Sequence, residues 1–572
     1  MSEGQRAAYF AGLHSGSPVD HRGTELTGEL LGRLLDAVRD PADGTPRFGT
    51  ARFSGATFSG SADFTRAEFR SAWFDEARFA GGVRFNGARF PDDARFAEAV
   101  FEDAADFRGT VFGKDANFGK ASFAAGAWFD QAAFGDGASF TRASFGGSSR
   151  FSKARFGKGA TFSKAVFEAS ADFGKAEFGL EARFTGALFA AEARFTEATF
   201  ALHAWFNRTV FRDATAFGPL ACAGTLDLNS AVFTAPVAMA AAAGRVTCKG
   251  TRWEAKASLR LRYATVDLTN ATFEYPFTVS ARATPFFSAG ETLLAGKNPG
   301  VAVASLSGVD ASYLTLTDVD LSACRLLGTI HLDQLRLEGH FQLDFAPRGL
   351  RRRGWLPVRW TRRRTLAEEH HWRASRGAAG WAAGPPGQPP AGPTALAPAY
   401  RQLRKAFEDD KNEPDAADFY YGEMEMRRHD PTRPFMERVL LFLYWAVSGY
   451  GLRALRAVCC LLAAATVTAL ALMLWGLPKD SPKQETVGAI SGRKISAVTD
   501  TQDPVDPTGP WRGRLTGERF EKALRVTVNS VVFRSSEEEL TVCGTYTEMA
   551  SRVAEPLLLA LAVLAVRGRI KR

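Results

Sequence analysis

An all-β solenoid followed by helices and a membrane anchor is the fold class the sequence predicts, and three observations predict it. Phenylalanine recurs every five or six residues from Phe48 to Phe217, the intervals are filled by Ala, Gly, Ser and Thr, and the C-terminal region holds long uncharged apolar runs. A repeat spaced like this builds a stack of similar coils, each touching only its neighbours.

The length of 572 residues exceeds what one hydrophobic core supports, so a repeat array or several domains must be present. Composition points to the array. The chain has 46 Phe against 10 Tyr and 11 Trp, which reflects one flat, fully apolar side chain demanded again and again. The formal net charge is +9, and Arg47–Phe217 carries about 22 basic and 20 acidic residues, so neither a basic nucleic-acid surface nor an acidic rod is indicated. The six cysteines, Cys222, Cys248, Cys324, Cys459, Cys460 and Cys543, form no CxxC and no metal spacing, and are read as structural thiols. The opening MSEGQRAAYFAGLHSG lacks the apolar core of a signal peptide, which predicts that the front half stays in a reducing cytoplasm.

Within the repeat, Phe85, Phe96, Phe107, Phe118, Phe129, Phe140, Phe151 and Phe162 form the main ladder, with a second Phe inside each eleven-residue step. Ala precedes most of these rings by two positions, as in Ala51-Arg52-Phe53 and Ala182-Arg183-Phe184, with a polar residue between. Eleven residues also fit three turns of an overtwisted helix, which makes a right-handed coiled coil the competitor. It fails because a five-residue step on a helix spreads the rings over two faces, because the early five-only stretches break the register, and because Gly, Ser and Thr weaken helix interiors. Alternation over three residues instead reads as a very short strand, Ala and Phe inward and the polar residue outward. The two or three residues after each Phe turn the chain. Four such units close a square coil of ~21 residues, stacked at ~4.8 Å, and some 300 residues give a rod on the order of 70 Å.

These Ala-polar-Phe units resemble the pentapeptide-repeat family, whose pattern is a small residue, a polar residue, a central Leu or Phe and two variable residues. The resemblance implies a right-handed quadrilateral β-helix. The extra residue in alternate units departs from the strict pattern and is expected to bulge at a corner. Looser Leu-rich units such as Val266-Asp267-Leu268-Thr269-Asn270-Ala271-Thr272-Phe273 carry the solenoid to about Phe345. At the other end, Thr24–Arg39 places Leu26, Leu30 and Leu34 on one stripe beside Leu31, Leu35 and Val38, an amphipathic helix expected to plug the first coil.

Behind the repeat, Arg351, Arg352, Arg353, Arg362, Arg363 and Arg364 interleave with Trp355 and Trp360, a pattern suited to anionic lipid headgroups. Arg376–Ala399, around GPPGQPPAGP, reads as an unpacked linker. Ala399–Phe407 and Asp415–Arg428 read as two helices; their sequence resembles the cytoplasmic segment before the spans of pentapeptide-repeat membrane proteins. Glu423 and Glu425 are two apart, face different ways and are expected to be solvated. Val439–Val447 is too short to span and is expected at the interface. Ala457–Leu477 is 21 residues without a charge and predicts a transmembrane helix. A second span is expected from Met549 to Val566, with Arg552 and Glu555 near its outer end. Arg438, Arg453 and Arg456 before the first span, and Arg567, Arg569, Lys571 and Arg572 after the second, place both termini and the solenoid in the cytoplasm.

The predicted division is 1–45 with the capping helix, 46–217 regular solenoid, 218–346 looser solenoid, 347–398 linker, 399–452 cytoplasmic helices and interfacial segment, 453–477 first span, 478–547 extracytoplasmic loop, and 548–572 second span and basic tail. The resulting functional expectation is a non-catalytic scaffold tethered to membrane lipid, displaying its solenoid surface to a protein partner and without cofactor or metal. The two spans also resemble the two-helix ion-channel module that follows such repeats in some proteins, which implies an oligomer. Thr541-Val542-Cys543-Gly544-Thr545-Tyr546 is the string nearest a potassium filter but departs from TVGYG, and Glu537, Glu538 and Glu539 would be the acidic ring. DNA mimicry, which the resemblance also raises, needs an acidic surface that the balanced charge does not supply. No P-loop, HExxH, GxSxG or dinucleotide fingerprint points to an enzyme.

Overall fold

The computed structural model describes residues 3–214, 216–347, 350–353, 356–359, 362–387, 389–479, 484–491, 494–501, 504–508, 510–532 and 538–570. They fall into two units, 1–391 and 392–572.

The first unit is a parallel β-solenoid of about 13 turns. Each coil contributes four short strand positions, seen in successive pairings Ala51 to Ala72, Phe58 to Phe79, Ala62 to Val83 and Glu68 to Arg89. Ala and Phe point into the lumen and are almost completely buried, while the residue between them is turned outward. Equivalent rings stack face to face: Phe107 on Phe129 at 4.8 Å and 2°, Phe129 on Phe151 at 4.9 Å and 1°. Rings of the neighbouring ladder meet them edge-on, as Phe118 and Phe140 meet Phe129 at 5.6 and 5.4 Å. Edge-to-face contact suits the ring quadrupole, whereas the face-to-face stack is imposed by the strand spacing. Where Thr replaces the inward Ala, its hydroxyl finds a carbonyl of the preceding coil: Thr110 donates to Phe85 O and Thr209 to Phe184 O, both at 2.8 Å.

The coil length is not constant. Phe48 lies under Phe69 and Phe58 under Phe79, 21 residues apart; Phe101, Phe123, Phe145 and Phe167 follow at 22; Phe233, Trp253 and Phe273 at 20. The extra residues sit in corners, as expected. Five-residue units turn tightly, with the second residue after Phe left-handed: Lys120, Gln131, Lys153 and Lys164 all have φ of 57°. That conformation costs roughly 1–2 kcal/mol for a residue with a Cβ, and here it is held by the turn bond from Ala121 N to Phe118 O and the inter-coil bond from Lys120 N to Thr141 O. A second corner stacks backbone so closely that a Cβ on Gly135 would lie 2.5 Å from Gly113 O, and one on Gly179 would lie 2.6 Å from Gly157 O.

The solenoid begins earlier than the Phe pattern does. Val19–Asp20 pairs with Ala51–Arg52, and Glu25–Leu26 with Thr57–Phe58, so a coil precedes Phe48 in which His21 stacks on Phe53 and Leu26 lies in register with Phe58. Helix α1 (Glu3–Ala11) lies beside this coil, and α2 (Gly28–Ala37) interrupts it. The helix starts at Gly28 rather than Thr24 because residues 25–26 are in the sheet and the Thr27 hydroxyl caps Leu30 N. Leu31, Leu34, Leu35 and Val38 are its buried face, consistent with a plug on the apolar end.

Strands continue to Arg336–Glu338, with Gln342 bridged to Asp320. The string read as basic linker is then ordered. Leu350–Arg353 and Leu356–Arg359 pair as an antiparallel hairpin, Arg364–Thr365 pairs with Asp344–Phe345, and α3 (Ala367–Ser375) follows. Trp381, within the Pro/Gly-rich stretch, is buried against His370 at 4.7 Å, so part of that stretch packs, contrary to the linker expectation.

The second unit is helical. Helices α4 (Pro393–Asp409) and α5 (Glu413–His429) form a hairpin through Phe407 stacked on Phe419 at 4.9 Å and Tyr400 against Gly422. Helix α4 starts six residues before the expected boundary, with Pro393 after Gly392 at its first turn, where proline costs no hydrogen bond. Then come α6 (Phe435–Ser448), α7 (Ala454–Ala471, closing on a π-helical turn Leu472–Gly476), a hairpin of Gln484–Ser491 with Lys494–Thr501, α8 (Gly517–Val531) and α9 (Val542–Ile570).

Candidate interaction surface and membrane module

The outward residue of each unit forms a ladder along the solenoid. One reads Arg84, Asp106, Trp128, Arg150, Asp172, Arg194 on successive coils. Opposite charges neutralise each other locally or between coils: Asp106 takes Arg108 at 2.6 Å, Lys120 reaches Glu98 at 2.6 Å, and Arg155 reaches Glu177 at 3.3 Å. Burial opposes ionisation of Asp106, but the bonds from Arg108 and Asn86 outweigh it and hold its carboxyl below the ordinary value. The exposed pairs, Lys120–Glu98 and Arg155–Glu177, add little stability; the effect of all three is a surface that is charged in detail and neutral in sum. The rings Phe85 to Phe162 lie wholly inside and offer nothing to a partner.

The arginine cluster divides. The side chains of Arg351, Arg352 and Arg353 lie outside the described residues. Arg362 is exposed and lies 4.8 Å over the Phe345 ring, while Arg364 is half-buried over Phe341 at 5.0 Å. Arg363 corrects the headgroup expectation: it is 3% exposed and gives two 2.7 Å bonds to Glu369, which also accepts from Arg373 at 2.6 Å. The neighbouring Glu368 accepts from Leu326 N and Leu327 N at 2.7 and 2.9 Å, satisfying donors of a late coil. Helix α3 therefore fastens the C-terminal end of the solenoid. The signal that could have found it was AEEHHWR, acids in the first turn and Arg in the last, which is a helix signature.

Glu423 and Glu425 do face apart, but neither is solvated as expected. Both are buried, Glu423 among Arg427 at 3.1 Å and Arg404 at 3.4 Å, Glu425 with Arg428 at 2.7 Å and the Tyr450 hydroxyl at 3.1 Å. Cationic partners on both sides of the helix make burial affordable. Helix α6 exposes Phe435, Met436, Leu440, Phe442 and Leu443.

The helices Ala454–Gly476 and Val542–Val566 are each long and apolar enough to cross a membrane. Their ends are stitched together: Thr541 N bonds to Gly476 O at 3.0 Å, and Gly544 packs on Gly476 with no room for a Cβ. Helix α8 lies against both. Arg519 donates to the carbonyls of Met473, Leu477 and Pro478, closing the end of α7, while Ser530 at its far end meets Ser551 of α9 at 2.9 Å. The string nearest a filter, which already departs from TVGYG, is helical from Val542 onward, at the start of α9. Glu537 lies outside the described residues, and Glu538 approaches Arg525 at 3.8 Å. Among the described residues no three His, Cys, Asp or Glu converge as a metal site.

A parallel solenoid of stacked Phe coils, followed by helices that include two candidate membrane spans, defines the class: a repeat protein with an apolar helical tail. Residues 47–89, 85–133 and 129–177 match the family model described as pentapeptide repeats (9 copies), and this repeat region belongs to the pentapeptide-repeat family. No curated protein and no solved structure matches the chain.

Proposed function

We propose that the protein is a membrane-tethered, non-catalytic scaffold whose solenoid presents its outward ladders to a protein partner on the cytoplasmic face. The observation that carries the tether is an inside-out distribution of polarity. On α7 and α9 the exposed side chains include Leu455, Leu462, Val467, Trp475, Val553, Leu557 and Leu564, whereas Thr468, Glu548, Ser551 and Glu555 are buried. A soluble helix pair has the reverse arrangement. The exposed apolar side of α6 suits the interface, and the basic residues flanking the spans favour cytoplasmic termini. Arg351, Arg352, Arg353, Arg362 and Arg364 remain the proposed contacts to anionic lipid. Proximity labelling from the solenoid of the full-length protein in intact cells tests the reading. A reproducible set of cytoplasmic proteins beside a membrane-resident bait supports it; labelling confined to extracytoplasmic proteins, or bait recovered in the soluble fraction, refutes it.

The placement of α8 favours a second reading, a subunit of an oligomeric two-span channel or transporter. A helix that starts at the outer end of α7 and runs back along α9 to Ser551 is more than a surface loop requires. Current or solute flux in liposomes tests this, and an oligomer that passes neither at any voltage removes it.

A further inference from the structure

Glu555 was expected near the outer end of the second span; it lies in the middle, thirteen residues from Val542 and eleven from Val566. It is 0% exposed, and neither carboxylate oxygen has a hydrogen-bond partner among the described residues, although the Thr468 hydroxyl of α7 faces it. Steps of three and four place Glu548, Ser551 and Glu555 on one stripe of α9, Thr541 lies just before the helix, and all four are buried. The stripe has hydroxyls opposite it, Thr468 on α7 and Thr527 and Ser530 on α8, also buried. Ser551 Oγ bonds Ser530 Oγ and the carbonyl of Glu548, each at 2.9 Å, and Glu548 takes Arg552 at 2.8 Å. Buried polar side chains thus recur along the same side of α9 from Glu555 toward the stitched end of the spans.

We propose that Glu555 is an intramembrane proton-binding site, taking up one proton as the neutral acid and releasing it along the Ser551–Glu548 stripe; this rests on the membrane reading above. An ionised carboxylate buried with no more than the facing Thr468 hydroxyl is costlier than its neutral form, and ionisable groups inside membrane segments are retained where they handle ions or protons. The charged groups of the packed elements are engaged elsewhere or turned away. On α8, Lys522 pairs with Glu518, Arg525 with Glu521 and Arg519 with the end of α7. On α6 and α7, Glu437 pairs with Arg433, Arg456 donates to Trp445 O, and Arg438 is exposed; Tyr444, Cys459 and Cys460 are the other titratable groups there. On α9 itself Arg552 is held by Glu548. A metal cation would need several oxygen ligands about the same point, and among the described residues one hydroxyl faces Glu555, so the proton is the ligand the geometry favours.

The test uses full-length protein in lipid vesicles and dicyclohexylcarbodiimide, an apolar reagent. It adds across the O–H of a protonated carboxyl and rearranges to a stable acylurea, with no other reactant and no leaving group. Peptide mass spectrometry is expected to find Glu555 modified, modification lost as pH rises, unaffected by sodium, and absent in Glu555→Gln. The Glu548→Gln variant should keep labelling at Glu555 but slow proton exchange, read as a change in the rate at which labelling follows a pH jump. Protein that floats with vesicles yet leaves Glu555 unlabelled at every pH overturns the proposal alone, as does labelling suppressed by sodium at constant pH. Protein that does not float overturns the membrane reading and the proposal together.

Discussion

Replacing Phe129 by alanine removes one ring from the middle of the stack. The ring is fully buried, lies between Phe107 and Phe151 and is met edge-on by Phe118 and Phe140. A phenylalanine side chain buries on the order of 150 Å² or more, which at about 25 cal/mol per Å² gives about 4 kcal/mol. The cavity left behind and the lost ring contacts place the expected cost at about 4–5 kcal/mol, the upper part of the range for such truncations. Because each coil touches only its neighbours, the loss should be local. Hydrogen exchange by mass spectrometry on the full-length protein should show faster exchange in peptides spanning residues 107–151, with little change in the coils near Val266 or in α4 and α5. Phe129→Leu, which keeps most of the volume, should cost less than about 1.5 kcal/mol. A Phe129→Ala variant losing under about 1 kcal/mol, or one whose exchange rises evenly along the chain, would refute the claim that the ladder is a tightly packed, one-dimensional core.

Gly135→Ala should destabilise the solenoid by about 1–3 kcal/mol through backbone overlap at the corner, while alanine at Gly109, where nothing lies within 4 Å, should cost about 1 kcal/mol for its left-handed φ alone; paired thermal melts separate the two. Glu369→Ala leaves Arg363 and Arg373 buried without their shared carboxylate and should cost about 3–5 kcal/mol, seen as early unfolding of α3 in a denaturant series monitored by exchange. Burial pushes the His370 imidazole below its ordinary value despite Asp344 beside it, so the unfolded chain binds the proton more readily than the folded one. The stability it contributes is present above about pH 6.5 and is lost as pH falls below that, so amide exchange in α3 should quicken on acidification and His370→Gln should remove that component. Burial also pushes the Cys222 thiol up to about 12, so native alkylation at pH 8 should spare it and denaturation should expose it.

The regular coils were legible because the lumen accepts one residue type at one spacing, and nothing but a stack of short strands reconciles steps of five and six. The first coil was not legible, since His21 and Leu26 occupy positions that Phe holds later and α2 interrupts the spacing. Arg363 read as a surface residue because its partner Glu369 is six positions away, a spacing that no single helix brings together; only the Thr365 strand pairing before α3 does so. For Glu423, the countercharges Arg401 and Arg404 come from another helix, and burial by a neighbouring element leaves no trace in a local pattern. The two candidate spans were legible by length and apolarity. The polar stripe inside them was not, because Thr541, Glu548, Ser551 and Glu555 look unremarkable until α7 and α8 cover them.

Coils of 21, 22 and 20 residues stack without loss of register because every length change is absorbed in a corner before the next Ala-x-Phe triplet begins. Register is thus restored once per coil, and the whole coil is the unit by which such a chain can grow or shrink. Duplicating one 22-residue segment would lengthen the solenoid while leaving the helix-covered first coil, the α3 contacts and the two apolar helices unchanged. A single residue inserted between an inward Ala and its Phe would instead turn that ring to solvent and break the stack at that level.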